Sequence, residues 1–183
     1  SIEKIRWERK DAFVKIIGPE VDEAYLQAVE KLSLNPAAIA KCTDFKIVYT
    51  PLHGTGITMV PNALKRFGFQ NVVLVEAQSV PDGNFPTVKS PNPEEKSALA
   101  MAIKLADEVN ADLVLATDPD ADRVGLAARN DKGELVLFNG NMVAAMLTHY
   151  LLSEWQKQKK LSDNEFIVKT IVTTDIIDKI ALD

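Results

Sequence analysis

At 183 residues and 46% hydrophobic content, the chain has the size of one domain, or one and a part of another, with enough apolar material for a core. Its net charge of −5 speaks against a nucleic-acid surface, and its basic residues are scattered apart from Lys157, Lys159 and Lys160, which read as a solvated helix end. The lone Cys42 has no internal disulfide partner, no apolar run approaches the roughly 18 residues of a membrane span, and no signal-peptide pattern opens the chain, so a cytoplasmic protein is expected.

Residues 1–18 open the chain with a mixed, basic segment of no clear period. Pro19-Glu20-Val21-Asp22 starts a helix whose Val21, Tyr25, Val29 and Leu32 fall on one face, with Leu26 beside them, and Asn35-Pro36 stops it. This part is expected to be a connecting helix. Phe45 to Thr50 is then a strand, Pro51 to Gly56 a tight loop, and Ile57 to Phe67 a helix ended by Gly68. Val72 to Glu76 is the second strand. The stretch from Ala77 to Pro93 is long and proline-punctuated, as functional loops are. Asn92-Pro93-Glu94-Glu95 reads as a helix opening, with a cap, a proline and acids in the first turn, and Leu99, Ile103 and Ala106 supply the apolar stripe.

Ala111 to Thr117 is a short apolar run of the kind a strand buried on both faces shows. Val124 to Ala128 and Glu134 to Phe138 are two further strands, joined by the hairpin-type turn Asn130-Asp131-Lys132-Gly133. Met142 to Trp155 is an amphipathic helix on Met142, Ala145, Met146, His149 and Leu152. Phe166 to Val172 is read as a last strand and Asp175 to Ala181 as the start of a helix. Strands alternating with helices imply an α/β fold, a layered α/β/α domain with a mainly parallel, mixed sheet. In such sheets ligands gather at the carboxyl ends of strands, where the loops at His53 and Asp118 both lie.

Asp118-Pro119-Asp120-Ala121-Asp122-Arg123 carries the chemistry. Three carboxylates at alternate positions repel one another unless a cation or shared protons relieve them. Oxygen donors of this kind suit a hard ion, with Mg²⁺ the first choice, and the planar fork of Arg123 suits phosphate. Phosphoryl chemistry is the expectation. An EF-hand is excluded, because its sixth and twelfth loop positions are Arg123 and Arg129 here, where glycine and glutamate are needed. A merely solvated acidic loop is the bland alternative.

The other candidates are weaker. His53-Gly54-Thr55-Gly56, between a strand and a helix, could offer backbone N–H groups to a phosphate, yet it lacks dinucleotide-loop spacing and a P-loop lysine. Turn geometry alone explains both glycines. His149 reads as helix packing, and Cys42 has no evident catalytic partner.

Three stretches, Pro51-Leu52-His53-Gly54-Thr55-Gly56, Phe85-Pro86-Thr87 through Pro91-Asn92-Pro93-Glu94, and Thr117 through Arg123, together resemble the second domain of the α-D-phosphohexomutases, the phosphoglucomutase/phosphomannomutase superfamily. The proline-rich stretch looks most like the phosphoglucomutase and phosphopentomutase branch. The likeness covers roughly residues 20–141. It implies residues 1–19 as a leading segment from a preceding domain, 20–133 as the metal-binding second domain and 134–183 as the beginning of a third. It further implies that Asp118, Asp120 and Asp122 hold Mg²⁺ and that Arg123 faces a phosphoserine or its transferring phosphoryl group.

The superfamily's T-A-S-H-N-P serine loop, G-E-x-S-G sugar loop and terminal phosphate loop do not occur in these residues, and Ser90-Pro91-Asn92-Pro93 only echoes the first. The expectation is therefore a central piece of a sugar-phosphate mutase, inactive alone, with a phosphosugar as the substrate of the whole enzyme. A haloacid-dehalogenase-like phosphatase and a non-catalytic metal or phosphate module are the rivals, and the identity of the sugar and the oligomeric state stay open.

Overall fold

The computed structural model describes residues 8–162 and 164–182. Five strands form one sheet: β1 (Lys46–Thr50), β2 (Asn71–Leu74), β3 (Leu113–Thr117), β4 (Val124–Arg129) and β5 (Leu135–Phe138), in the order β2-β1-β3-β4-β5. β1 runs parallel to both β2 and β3, whereas β3, β4 and β5 are successively antiparallel. The sheet is thus mixed, as the α/β pattern implies. Among the described residues the helices are α1 (Pro19–Glu30), α2 (Pro36–Ala40), α3 (Val60–Phe67), α4 (Lys96–Glu108), α5 (Gly140–Lys157) and α6 (Ile176–Leu182).

The central strands form because β-branched and aromatic side chains find cover on both faces. Val48, Val114 and Ala127 lie side by side in the register and share one face. Ala102 and Ala106 of α4 pack on that face, and all five side chains are fully buried. Alanine at these helix positions lets the backbone of α4 approach the sheet closely. On the opposite face Tyr49 is equally buried and its hydroxyl meets Thr117 Oγ1 at 2.8 Å.

Local signals place several boundaries. Gly68 ends α3 at φ 109, a left-handed conformation that costs glycine little. The β4–β5 turn closes with Gly133 at φ 78. β5 pairs with β4 as the edge strand of the sheet.

Several expectations are corrected. Asn35 does not merely stop a helix; its side chain accepts the Ala38 N–H and caps α2. The helix expected to open at Asn92-Pro93 begins at Lys96. Asn92 Oδ1 instead accepts the Glu94 N–H in a turn, and Pro93 is buried against Gly125 of β4. Phe166 to Val172 is not a strand, because no neighbouring strand offers its backbone a ladder there; Phe166, Val168, Ile171 and Val172 are exposed. The predicted stripe of α5 is only partly covered: Ala145 and Leu152 are half-buried, Met142, Met146 and His149 are exposed, and Val143 beside them is buried. The apolar face read on α1 is similar, for Val21, Tyr25 and Leu32 are exposed and the helix is fastened to α3 by Arg66, which bonds both Glu23 and Glu30.

Arg129, at the end of β4, ties the hairpin to the end of α4. Its guanidinium donates to the carbonyls of Ala111 (2.7 Å), Ala106 (3.1 Å) and Gly133 (2.6 Å) and to Asp107 (3.1 Å). Two of these acceptors, the carbonyls of Ala106 and Ala111, lie at and just past the C-terminal end of α4, and the third, that of Gly133, lies in the β4–β5 turn. Replacing Arg129 by Met keeps the aliphatic stem and removes every bond. The expected loss is about 2 kcal/mol of unfolding free energy, read as a lower urea midpoint at unchanged slope; an unaltered midpoint would refute this role.

Candidate functional site: an acidic loop at the end of a central strand

β3 delivers Asp118 to the edge of the sheet, and the chain reverses at once into β4. The reversal is closed by Ala121 N–H bonding to Asp118 O at 3.0 Å, with Ala121 in the left-handed region at φ 61. Asp118 is only 2% exposed, whereas Asp120 and Asp122 stand open to solvent. Their carboxylate oxygens nevertheless converge, all three lying within 4.8 Å of one another. The structure therefore brings together the three aspartates singled out in the sequence.

Arg123 braces the loop from behind. Its backbone N–H donates to Asp118 Oδ1 (3.0 Å) and its Nε to Asp118 Oδ2 (2.8 Å). The two terminal Nη groups make no hydrogen bond among the described residues, and the side chain is half exposed. Burial by itself pushes the Asp118 carboxyl up, but the Arg123 side chain and backbone outweigh it and hold the group below its ordinary value. Asp122 is pushed the other way, first by its hydrogen bond with Asp118 and then by the charges of Asp120 and Asp118. The opposite shifts follow from crowding: Arg123 serves Asp118 first, and Asp122 faces the neighbouring carboxylates.

His53-Gly54-Thr55-Gly56 lies directly against this loop. The Thr55 N–H and hydroxyl both donate to Pro119 O, at 2.8 and 3.1 Å. A Cβ on Gly54 would strike the backbone of Pro119, and one on Gly56 would strike the Tyr49 and Thr117 hydroxyls. Both glycines are thus required by close approach. The N–H groups of His53, Gly54 and Thr55 are committed to Gln78 O, Pro51 O and Pro119 O, so none of the three points at a ligand. The His53 ring is buried, with Nδ1 at 3.1 Å from Val80 O and Nε2 at 2.9 Å from Thr87 Oγ1. Gln78, fully buried beside it, carried no sequence signal: a lone polar residue shortly after a strand looks like any loop residue.

The remaining candidates sit elsewhere. Ser90 Oγ donates to Glu95 at 3.2 Å, and Cys42 is exposed. His149 is exposed on α5 and lines a groove of about 790 Å³ between α5 and residues 161–182, which includes none of the three aspartates. Glu165 is the one carboxylate that lines it, whereas three carboxylates converge at the Asp118 loop.

The donor set fits a hard divalent ion. Three carboxylates supply oxygen and charge, each Asp118 oxygen keeps a second lone pair beside its bond to Arg123, and the two open aspartates can close on an ion. Asp118, Asp120 and Asp122 are the residues that could hold Mg²⁺.

Comparison with known proteins bears on the family and the fold. The phosphoglucomutase/phosphomannomutase alpha/beta/alpha domain II pattern matches residues 23–133. A phosphoglucomutase of Staphylococcus haemolyticus is 41% identical over 139 residues, covering 76% of this chain and 25% of the relative. A phosphoglucomutase of Staphylococcus aureus is 34% identical over 170 residues, covering 93% of this chain and 29% of the relative. The chain thus spans under a third of the length of these relatives. Among solved structures, a Thermus thermophilus chain assigned to the phosphomannomutases superposes over 87% of this chain and 33% of its own, with a TM-score of 0.63 at 23% identity. A phosphoglucomutase/phosphomannomutase family protein of Burkholderia thailandensis covers 68% of this chain and 26% of its own, with a TM-score of 0.51 at 20% identity. These two likenesses bear on the fold.

Because the Asp118 and Asp120 carboxylates beside it raise the proton affinity of Asp122 over that of a free aspartate, Mg²⁺ or Mn²⁺ competes with a proton there and its binding should weaken as pH falls. Calorimetry at about pH 7 and about pH 5 should show the weaker binding at the lower value. Asp120→Asn should weaken it further at both. Equal affinity across pH and in the mutant would remove the assignment.

Proposed function

The chain belongs to the phosphoglucomutase/phosphomannomutase family, and on that premise we propose that it is the metal-binding central part of a sugar-phosphate mutase. The whole enzyme would interconvert sugar 1-phosphate and sugar 6-phosphate by way of a phosphoserine and a bisphosphate intermediate. The observation that carries this reading is the pairing of three convergent carboxylates with an arginine whose Nε is spent on Asp118 and whose Nη groups are free among the described residues. In this proposal residues 20–133 make up the metal-binding domain, residues 1–19 lead in from a preceding domain, and residues 134–183 begin the next.

The roles divide by charge. Asp118, Asp120 and Asp122 would hold Mg²⁺, which when bound neutralises charge on a phosphoryl group in transfer. Arg123, oriented by Asp118, directs two hydrogen-bond donors toward a phosphate oxygen, and its position is set before any substrate arrives. The loop at His53 supports the aspartates by holding Pro119. The nucleophilic serine and the sugar-binding groups are assigned to segments other than these residues, since Ser90 is engaged with Glu95. The exposed thiol of Cys42 suits a reducing compartment, and we assign the enzyme to the cytoplasm, where its partner is a phosphosugar.

Two measurements test this. The isolated chain, supplied with Mg²⁺ and a bisphosphate activator, should not convert glucose 1-phosphate, mannose 1-phosphate or ribose 1-phosphate. In the full-length protein, Asp120→Ala and Arg123→Ala should each lower kcat by about a hundredfold or more, the first with loss of metal and the second with metal retained. Turnover by the isolated chain that Ser90→Ala abolishes would place a catalytic centre within these residues instead. Full activity of Arg123→Ala would remove its role.

A further inference from the structure

β1 ends at Thr50, and the six residues that follow make a turn that no local propensity explains. Leu52 and His53 both adopt left-handed backbone, at φ 47 and 61, which non-glycine residues sustain only when tertiary contacts enforce it. Those contacts form one continuous polar chain. The Leu52 N–H donates to Thr50 Oγ1 (3.1 Å), which donates in turn to Gln78 Oε1 (2.7 Å). Gln78 Nε2 donates to Thr87 Oγ1 (3.0 Å), whose hydroxyl faces His53 Nε2 (2.9 Å). Val80 O can only accept, so His53 Nδ1 carries a proton and donates to it (3.1 Å).

The backbone closes the same circuit, with the His53 N–H on Gln78 O (2.9 Å) and the Asp82 N–H on His53 O (3.0 Å). Thr50 and Gln78 are fully buried, His53 nearly so, and no buried side-chain polar atom among the described residues lacks a partner. A saturated network of this kind resists displacement of any member. Its output is the position of Gly54 and Thr55, and these two residues clamp Pro119, which lies between Asp118 and Asp120.

We infer that Gln78, through Thr87 and His53, is a positioning residue for the acidic loop: the relay fixes the Leu52–Thr55 turn, and the turn sets where Asp118 and Asp120 present their oxygens. The inference rests on the reading of Asp118, Asp120 and Asp122 as metal ligands. Outer partners that orient metal ligands typically change affinity by about 10- to 100-fold when removed. This relay acts one contact further out, through Pro119, so a smaller effect is expected.

The test uses the 183-residue chain, Mn²⁺ alone as probe, and the variants Thr87→Val, Thr87→Ser and Gln78→Met. Thr87 is exposed apart from its hydroxyl bonds, so its variants should fold, Thr87→Ser with a nearly unchanged thermal midpoint and Thr87→Val with a lowered one, because the buried nitrogens of Gln78 and His53 lose their partner. Thr87→Val and Gln78→Met should weaken Mn²⁺ binding by about three- to tenfold, and Thr87→Ser, which restores the hydroxyl, should bind like the parent. Independently of metal, Thr87→Val should speed amide hydrogen exchange at Thr55, Ala121 and Arg123 while the amides of α4 exchange as before. Unchanged exchange at those three amides overturns the inference, as does a Thr87→Ser variant as impaired as Thr87→Val. If Gln78→Met does not fold, Thr87→Val decides. A parent chain that takes up no Mn²⁺ would remove the metal reading itself, and the exchange rates would still decide whether the relay positions the loop.

Discussion

A carboxylate at 2% exposure is tolerable only if its charge is matched, and Asp118 is matched from within its own loop. Arg123 satisfies both of its oxygens, one through the backbone and one through the guanidinium, and the short distance fixes the hand and width of the β3–β4 reversal. Much else at this end of the sheet follows from that pair. Asp118 takes the buried side of the turn, and Asp120 and Asp122 stand on its open side. Their crowding leaves Asp122 reluctant to ionise, so the loop stores repulsion that a cation would relieve.

The sheet order explains why this loop has a support of the right shape. β1 and β3 are neighbours and parallel, with Thr50 opposite Ala116, so both chains leave the sheet at the same edge and in the same direction. Parallel neighbours with adjoining exits force their loops into contact. Here contact is close enough that Gly54 has no room for a Cβ beside Pro119, and Gly56 none beside Tyr49 and Thr117. The glycines that resemble a phosphate-binding turn are thus explained by loop-on-loop packing.

Away from the site, the packing thins. α1 buries none of its residues, α5 leaves Met146, Leu147, Tyr150 and Leu151 exposed, and Phe166, Ile171 and Val172 stand almost fully open. The chain spans 25% and 29% of the two staphylococcal relatives. Glu94 meanwhile joins the sheet region to α5 by accepting the Gly140 N–H at 2.7 Å, a carboxylate at a helix N-terminus where the dipole favours it.

What could be read directly from the sequence was whatever depends on neighbours a few residues apart. The apolar run of β3, the alternate aspartates with Arg123, the Gly68 stop and the Asn130–Gly133 turn are local patterns, visible in a few adjacent residues. The resemblance to the phosphohexomutases rested on such stretches too. Tertiary structure alone decided the rest. Gln78 meets Thr50 across 28 positions and Thr87 meets His53 across 34, so neither partner is visible in the spacing of the other. Arg129, noted in the sequence only as a residue unfit for a calcium loop, is the tie between α4 and the hairpin. Phe166 to Val172 has the composition of a strand and is none, because strandhood needs a partner edge, and composition cannot supply one. Local sequence sets what a segment can become; pairing across tens of residues sets what it is.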